Sequence, residues 1–466
     1  MHSSTFAPAK PGTASCSSTN RLQINWVKST SNSAQATVLQ HSITPLARIR
    51  EQPVRRSPSS RLPTAEVGLA SEARSTRMTS AKSEARGQAR NFHDMESQPL
   101  LTPVRMGKLE LRNRIIMAPM TRMRAANGGY VPNEFHAEYY TQRASAGLII
   151  GEGTEISLDA YGWADSPGLW TSEQVQGWRR VTDAVHQKDS LMQIQLWHTG
   201  AMSHPDFFGG ALPMSASAVN PEQVSVTPSG RKPTVTPRPM SKAEIRQTVL
   251  DFGTAAKNAF EAGFDGVQIQ ANYLYLIAQF LNSATNLRTD EYGGSIENRA
   301  RLLFEIVEAV LNYVESDRVG IKIGPMHLTG PFAANADTLP GMEYVIKKLN
   351  DYGLAHLLMM GATSDFAGTP LEDLAGDGVF EHFRPIYEGH FIANVDMTQE
   401  RANRLIAAGI VDSVAFARAY IANPDLPERF RTNSPLNEID WPTVYASGPK
   451  GYVDYPTLLT TPSIHS

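Results

Sequence analysis

The chain has 466 residues, a formal net charge of −3, 41% hydrophobic residues and a single cysteine. That length allows two or three ordinary domains, or one large barrel with an appendage. No apolar run reaches the roughly 18 residues of a membrane-spanning helix, near-neutral charge leaves no footprint for nucleic acid, and Cys16 alone excludes an internal disulfide, a zinc knuckle and an iron–sulfur centre.

The charge is unevenly spread. Residues 1–94 hold 13 basic and 5 acidic side chains and 16 serines, with Glu51 the one acid among the first 65. Their balance of +8 leaves −11 for residues 95–466. A tail rich in Ser and Arg with no periodic apolar pattern buries too little surface to offset its ordering entropy, so it reads as disordered. It is either an organelle transit peptide, or the product of a start assigned too far upstream, with Met95 or Met78 the true start. The first reading makes the protein organellar and the second cytoplasmic.

From Met95 onward, short β-rich apolar runs alternate with amphipathic stretches of helical length. Strands are predicted at Arg114–Met120, Leu148–Thr154, Leu191–Trp197, Gly266–Gln270, Val319–Gly324, His356–Met360, Phe391–Val395 and Ser413–Ala417. Helices are predicted between them, among others at Lys242–Ala262, Ile296–Val314, Gly341–Tyr352 and Gln399–Ala408. Eight βα units in one body predict an α/β fold, a single (β/α)8 TIM barrel over residues 95–466. The longest insertion, Thr199–Ser241, is rich in Pro and Ser and is expected across one mouth of the barrel.

Barrel strands are buried on both faces, so polar residues at their C-terminal ends, where barrels carry their active sites, are informative. Those ends carry Thr121, Gln195, the group Gln270, Tyr273 and Tyr275, Lys322 and Arg418. They form a ring of donors with two cations and no paired carboxylates. No G-x-G-x-x-G, Walker A, H-E-x-x-H or G-x-S-x-G motif occurs. A site with donors but no nucleophile–base pair suits a bound cofactor that carries the chemistry. The sixteen methionines read as core and pocket lining, not metal ligands.

Several stretches, in order and spacing, resemble the Old Yellow Enzyme family of FMN-dependent ene-reductases: NRIIMAPMTRMRA (113–125), EYYTQRASAGLIIGEGTEIS (138–157), QLWHTGAMSHPDF (195–207), NLRTDEYGGSIENR (286–299), FARAYIANPDLPERF (416–430) and GYVDYP (451–456). The resemblance implies a TIM barrel holding FMN, reduced by NADPH or NADH, that reduces small-molecule alkenes activated by a carbonyl or nitro group. Pro119, Met120 and Thr121 then match the segment along the flavin, Gly153 the small residue admitting its ring, and Gln195 the amide at its pyrimidine edge. Lys322 stands where the family usually has Arg. Arg418, with backbone amides around Asn394 and Ala417, matches the phosphate site. Tyr275 matches the proton donor, while Gln270 and Tyr273 replace the usual pair that binds the substrate oxygen; Trp197 and Tyr445 flank the substrate.

Two departures fall at the phosphate site. Val395 and Ala417 stand where the family often has Gly, and Asp396, which follows, must point away if FMN binds. With the oxygen-binding pair replaced, other readings stay open: an FMN-binding isomerase or specialised biosynthetic reductase, a Schiff-base lyase at Lys322, or a non-catalytic flavin-binding protein.

Overall fold

The computed structural model describes residues 98–459; the basic tail, with Cys16, lies outside the described residues. A short antiparallel hairpin comes first, β1 (Val104–Met106) and β2 (Leu109–Leu111), followed by β3 (Ile115–Met117), helix α1 (Glu134–Gln142) and β4 (Leu148–Glu155). Next come α2 (Ser172–His186) and β5 (Met192–Trp197). The insertion that follows contains β6 (Met214–Ser215), β7 (Val224–Thr227), β8 (Gly230–Pro233) and β9 (Arg238–Pro239). Then α3 (Lys242–Glu261) leads to β10 (Gly266–Gln270), α4 (Leu276–Leu281) and α5 (Ile296–Leu311). The last part runs β11 (Val319–Ile323), α6 (Thr338–Leu349), β12 (His356–Met360), α7 (Gly378–Phe383), β13 (Phe391–Asn394), α8 (Gln399–Ala407), β14 (Ser413–Phe416), α9 (Arg418–Ala422) and α10 (Leu426–Thr432).

Strands β3, β4, β5 and β10 to β14 pair in parallel and close into an eight-stranded barrel. Each predicted barrel strand forms, with ends set by local chemistry. The first stops at Met117, because Pro119 has no N–H to offer the ladder. The seventh stops at Asn394, because Val395 turns into the left-handed region at φ +86°. The predicted helix at Gly341–Tyr352 instead begins at Thr338, with Pro340 in its first turn where no helical N–H is needed, and tightens to a 3-10 turn over Asn350–Tyr352.

Helix starts follow from capping residues. Thr171 with Gln174, and Ser241 with Glu244, close reciprocal capping boxes on α2 and α3. On α3 the residues facing the sheet recur at helical spacing, with Ile245, Phe252, Ala255, Ala256 and Ala259 buried against the outer faces of the strands. A second apolar cluster lies inside the barrel, where Ile116, Leu148, Ile150, Leu358, Ile392 and Ala415 meet Met106, Leu109 and Leu111 of the hairpin. The hairpin, which the βα pattern does not announce, sits against the strands' N-terminal end, where the Lys108 N–H reaches the Asp317 carbonyl just ahead of β11.

Candidate active site

The other half of the barrel interior is polar. Side chains alternate along a strand, so Gln193 and Gln195 on β5, Gln268 and Gln270 on β10, Lys322 on β11 and His356 on β12 all point inward. They stack in layers set by the register. Lowest is His356, paired in register with Gly320, whose missing side chain leaves the space that the imidazole fills. The His356 Nε2 meets Gln193 Oε1 at 2.9 Å. Burial pulls the His356 pKa down to about 3, so the ring is neutral at pH 7. Above it, Gln195 Nε2 donates to Gln268 Oε1 at 2.7 Å, which uses one of its two N–H groups and leaves its carbonyl oxygen free. At the top, Gln270 stands opposite Lys322 in register.

Two adjoining cavities open above this stack. The first, of about 440 Å³, is lined by Pro119, Met120, Thr121, Gln195, Trp197, Gln270, Tyr273, Tyr275, Lys322, Ala417, Arg418 and Tyr445, all residues that the sequence had singled out. The second, of about 540 Å³, shares Pro119, Lys322, Ala417 and Arg418 with it and adds Asn394, Val395 and Asp396. Asn394 donates to the Ala415 carbonyl at 2.7 Å, tying β13 to β14 at the floor of the second cavity.

Tyr275 is buried in the first cavity. The Trp197 ring lies edge-on to it with centroids 4.7 Å apart, and the Tyr273 ring is 5.7 Å away. Desolvation, with the neighbouring Tyr273 and Glu155, holds its phenol pKa above the ordinary tyrosine value, against a hydrogen bond with Trp163 that works the other way. Tyr275 is therefore protonated throughout the neutral range. Lys322 has no counter-ion and no hydrogen-bond acceptor among the described residues. Desolvation alone lowers its pKa to about 8, so at pH 7 it is a cation facing the cavity. The Gln270 Oε1 and the Trp197 Nε1 are both buried without partners. Buried polar groups ordinarily find partners, so these orphans mark where a ligand's polar atoms complete the site.

Gly153, which the resemblance matched to the residue admitting the flavin ring, packs against Trp197. It does not line the cavity. A β-carbon there would meet the Trp197 ring at 2.6 Å, so its smallness makes room for Trp197. Gly153→Ala is expected to push that indole toward Tyr275 and to cost about 1–3 kcal/mol by overpacking, read as a lower Tm.

Sequence reasoning missed several groups. Arg122, Trp163, Met360, Ile421, Trp441 and Val444 also line the first cavity. Trp163 comes from the loop after β4 and makes a strand-like bridge to Val226 of the insertion, whose Met202 packs with Trp197 and Tyr275; no residue of 199–241 itself lines the cavity. Glu152 occupies an irregularity in β4, between Gly151 and Gly153. Out of the ladder, its carboxyl accepts the backbone N–H of Arg122 at 3.1 Å and the Tyr140 hydroxyl at 3.1 Å. Burial raises the Glu152 pKa to about 7. The Arg122 guanidinium in turn donates to the Gly451 carbonyl at 2.7 Å and the Tyr139 hydroxyl at 2.9 Å. These bonds fix the chain just after Pro119–Thr121, and the EYYTQ and GYVDYP stretches serve this brace.

A partly apolar chamber with a buried cation, adjoining a second chamber and sharing Arg418 with it, suits an elongated ligand with a planar head and an anionic tail. Its size lies within the range of ordinary cofactor sites. These features define the class of barrel flavoproteins, and FMN has that shape. A family model for the NADH:flavin oxidoreductase / NADH oxidase family matches residues 99–437. The 12-oxophytodienoate reductase 1 of Oryza sativa subsp. japonica is 40% identical over 368 residues, covering 77% of this chain and 93% of the relative. The 12-oxophytodienoate reductase 2 of Arabidopsis thaliana is 38% identical over 382 residues, covering 80% and 99%. Among solved structures, morphinone reductase superposes with a TM-score of 0.72 at 40% identity, covering 78% of this chain and 97% of that one. The Old Yellow Enzyme homologue from Zymomonas mobilis gives 0.72 at 38%, covering 77% and 99%.

The chain belongs to the NADH:flavin oxidoreductase / NADH oxidase family, that of the Old Yellow Enzymes. It is an FMN-dependent oxidoreductase that reduces activated C=C bonds with NAD(P)H, which selects among the readings the sequence left open. Among the described residues no helix is long and apolar enough to cross a membrane.

Proposed function

We propose that the two cavities together hold FMN and, over it, an alkene conjugated to a carbonyl or nitro group. The carrying observation is a protonated, buried Tyr275 in one chamber with an unpaired cation, Lys322. When bound, FMN passes hydride from NAD(P)H to the alkene. In this reading Pro119, Met120 and Thr121 support the flavin face, the free oxygen of Gln195 accepts from its pyrimidine edge, and Arg418 with Asn394 and Ala417 receives its phosphate. Lys322 stabilises the negative charge that reduction brings.

Gln270 and Tyr273 each offer one neutral donor to the substrate oxygen, worth about 1 kcal/mol apiece. Tyr275 delivers its proton to the alkene carbon next to the activating group. Trp197, Trp163 and Tyr445 wall the space above, with Tyr445 at the open rim, half exposed. The names of the relatives are those of oxo compounds, which supports a conjugated ketone as substrate. The place of work is the cytoplasm, or an organelle if the tail is a transit peptide.

The test is the visible spectrum of the purified protein under anaerobic conditions. NADPH is expected to bleach the oxidised-flavin bands, and cyclohexenone or maleimide to restore them. Bleaching without recovery would move the acceptor to another class, as the replaced Gln270 and Tyr273 allow. Absence of bound flavin after FMN is added would overturn the reading.

A further inference from the structure

Asp396 faces the cation that the proposed reading gives to the cofactor's phosphate. Its Oδ1 accepts from Arg418 Nη1 at 2.7 Å, and it is the one carboxylate lining that cavity. Both side chains of the pair are largely exposed, 71% for Arg418 and 63% for Asp396, so water screens it, but the loop beneath Asp396 is held. Arg401 donates to the carbonyls of both Val395 and Asp396, each at 3.2 Å, while its own guanidinium is fixed by Asp377 at 2.7 Å. The backbone is also committed: Val395 and Asp396 lie at φ +86° and +49°, a region that a β-branched valine rarely enters. The loop thus spends conformational strain in a shape that presents Asp396 to Arg418.

Of Lys322 and Arg418, which line both cavities, only Arg418 is paired with a carboxylate; Lys322 has no counter-ion among the described residues. A phosphate dianion arriving at Arg418 meets a carboxylate within a few ångströms, and must either share the guanidinium or displace it.

We propose that Asp396 is a built-in competitor for Arg418, which loosens the hold on FMN and narrows its preference over the phosphate-free flavin. The proposal rests on Arg418 serving the phosphate, and the test separates the two. The full chain is loaded with FMN or with riboflavin, and each flavin's Kd is read from the fluorescence released on dilution at low ionic strength.

Asp396→Asn keeps a side chain that tolerates positive φ and removes the charge. It is expected to tighten FMN roughly five- to tenfold and to leave riboflavin unchanged, with Asp396→Gly as a second variant free of the backbone constraint. Arg418→Ala is expected to weaken FMN by at least tenfold, again sparing riboflavin. If Arg418→Ala weakens FMN but neither Asp396 variant tightens it, or if they weaken it, Asp396 is no competitor and at most orients Arg418. If Arg418→Ala leaves FMN binding untouched, the phosphate assignment itself fails, and the proposal with it.

Discussion

Tyr275→Phe is expected to slow alkene reduction by about 10²- to 10⁴-fold, the range for loss of a positioned general acid. Reduction of the flavin by NADPH should stay within about twofold of the wild type, since that half-reaction needs no proton from the phenol. The substitution removes one oxygen from a buried ring packed edge-on against Trp197, and the ring itself remains. Stopped-flow traces of the two half-reactions separate the effects. Equal loss in both would mean that the hydroxyl organises the cavity and is not the proton source.

The direction of the Tyr275 pKa adds a pH prediction. Because burial raises it above the ordinary value, the donor stays protonated well past pH 9, and the oxidative half-reaction should show no fall attributable to it between pH 6 and 9.

Lys322→Met is expected to act in opposite directions on stability and activity. Burial costs this lysine its proton at about pH 8, against 10.5 when exposed. Since the unfolded chain holds the proton more tightly, the penalty is fully present below pH 8 and fades as the pH rises toward 10.5. Methionine occupies the same space without the charge, so the flavin-free variant should be more stable than wild type at pH 7 by up to about 3 kcal/mol. Chemical denaturation at pH 7 and pH 10 would show that advantage shrinking.

The same change removes the cation awaiting charge at the cavity floor. Reduction of the bound flavin by NADPH is expected to fall about tenfold to a hundredfold, with Lys322→Arg recovering most of it. A variant that is stabler and equally fast would show that Lys322 serves neither the cofactor nor the reaction. In wild type, the reductive rate should decline as pH climbs past 8 only if the bound flavin fails to raise the lysine's pKa. A flat profile would mean that it does.

How much of this was legible before folding depends on the range of the interaction involved. The strand at Gly266–Gln270 and the helix starting at Lys242 are written locally, the first in a run buried on both faces, the second in a Ser241/Glu244 capping box and a 3.6-residue apolar repeat. Eight such alternations leave few closures other than a barrel, and its C-terminal strand ends then locate Gln195, Gln270, Lys322 and Arg418 together. The roles attached to them came from resemblance; spacing alone said only that donors converge.

What only the tertiary structure decided are partnerships between residues far apart in the chain. Glu152 could be recognised as a brace for Arg122 only once the β4 irregularity had put it beside that loop. That Gly153 lies against the Trp197 ring follows from barrel closure, which brings β4 against β5. The insertion at residues 199–241 does not line the first cavity and meets its walls from behind, through the Val226 bridge to Trp163 and Met202 packed with Trp197 and Tyr275. That Asp396, which must point away if FMN binds, pairs with Arg418 in this structure is likewise a contact between residues 22 apart in the chain. A sequence specifies hydrophobic period, caps and turns through contacts a few residues long. Which polar group meets which across a closed sheet is fixed by register and by loop strain, and those exist only when the whole barrel has formed.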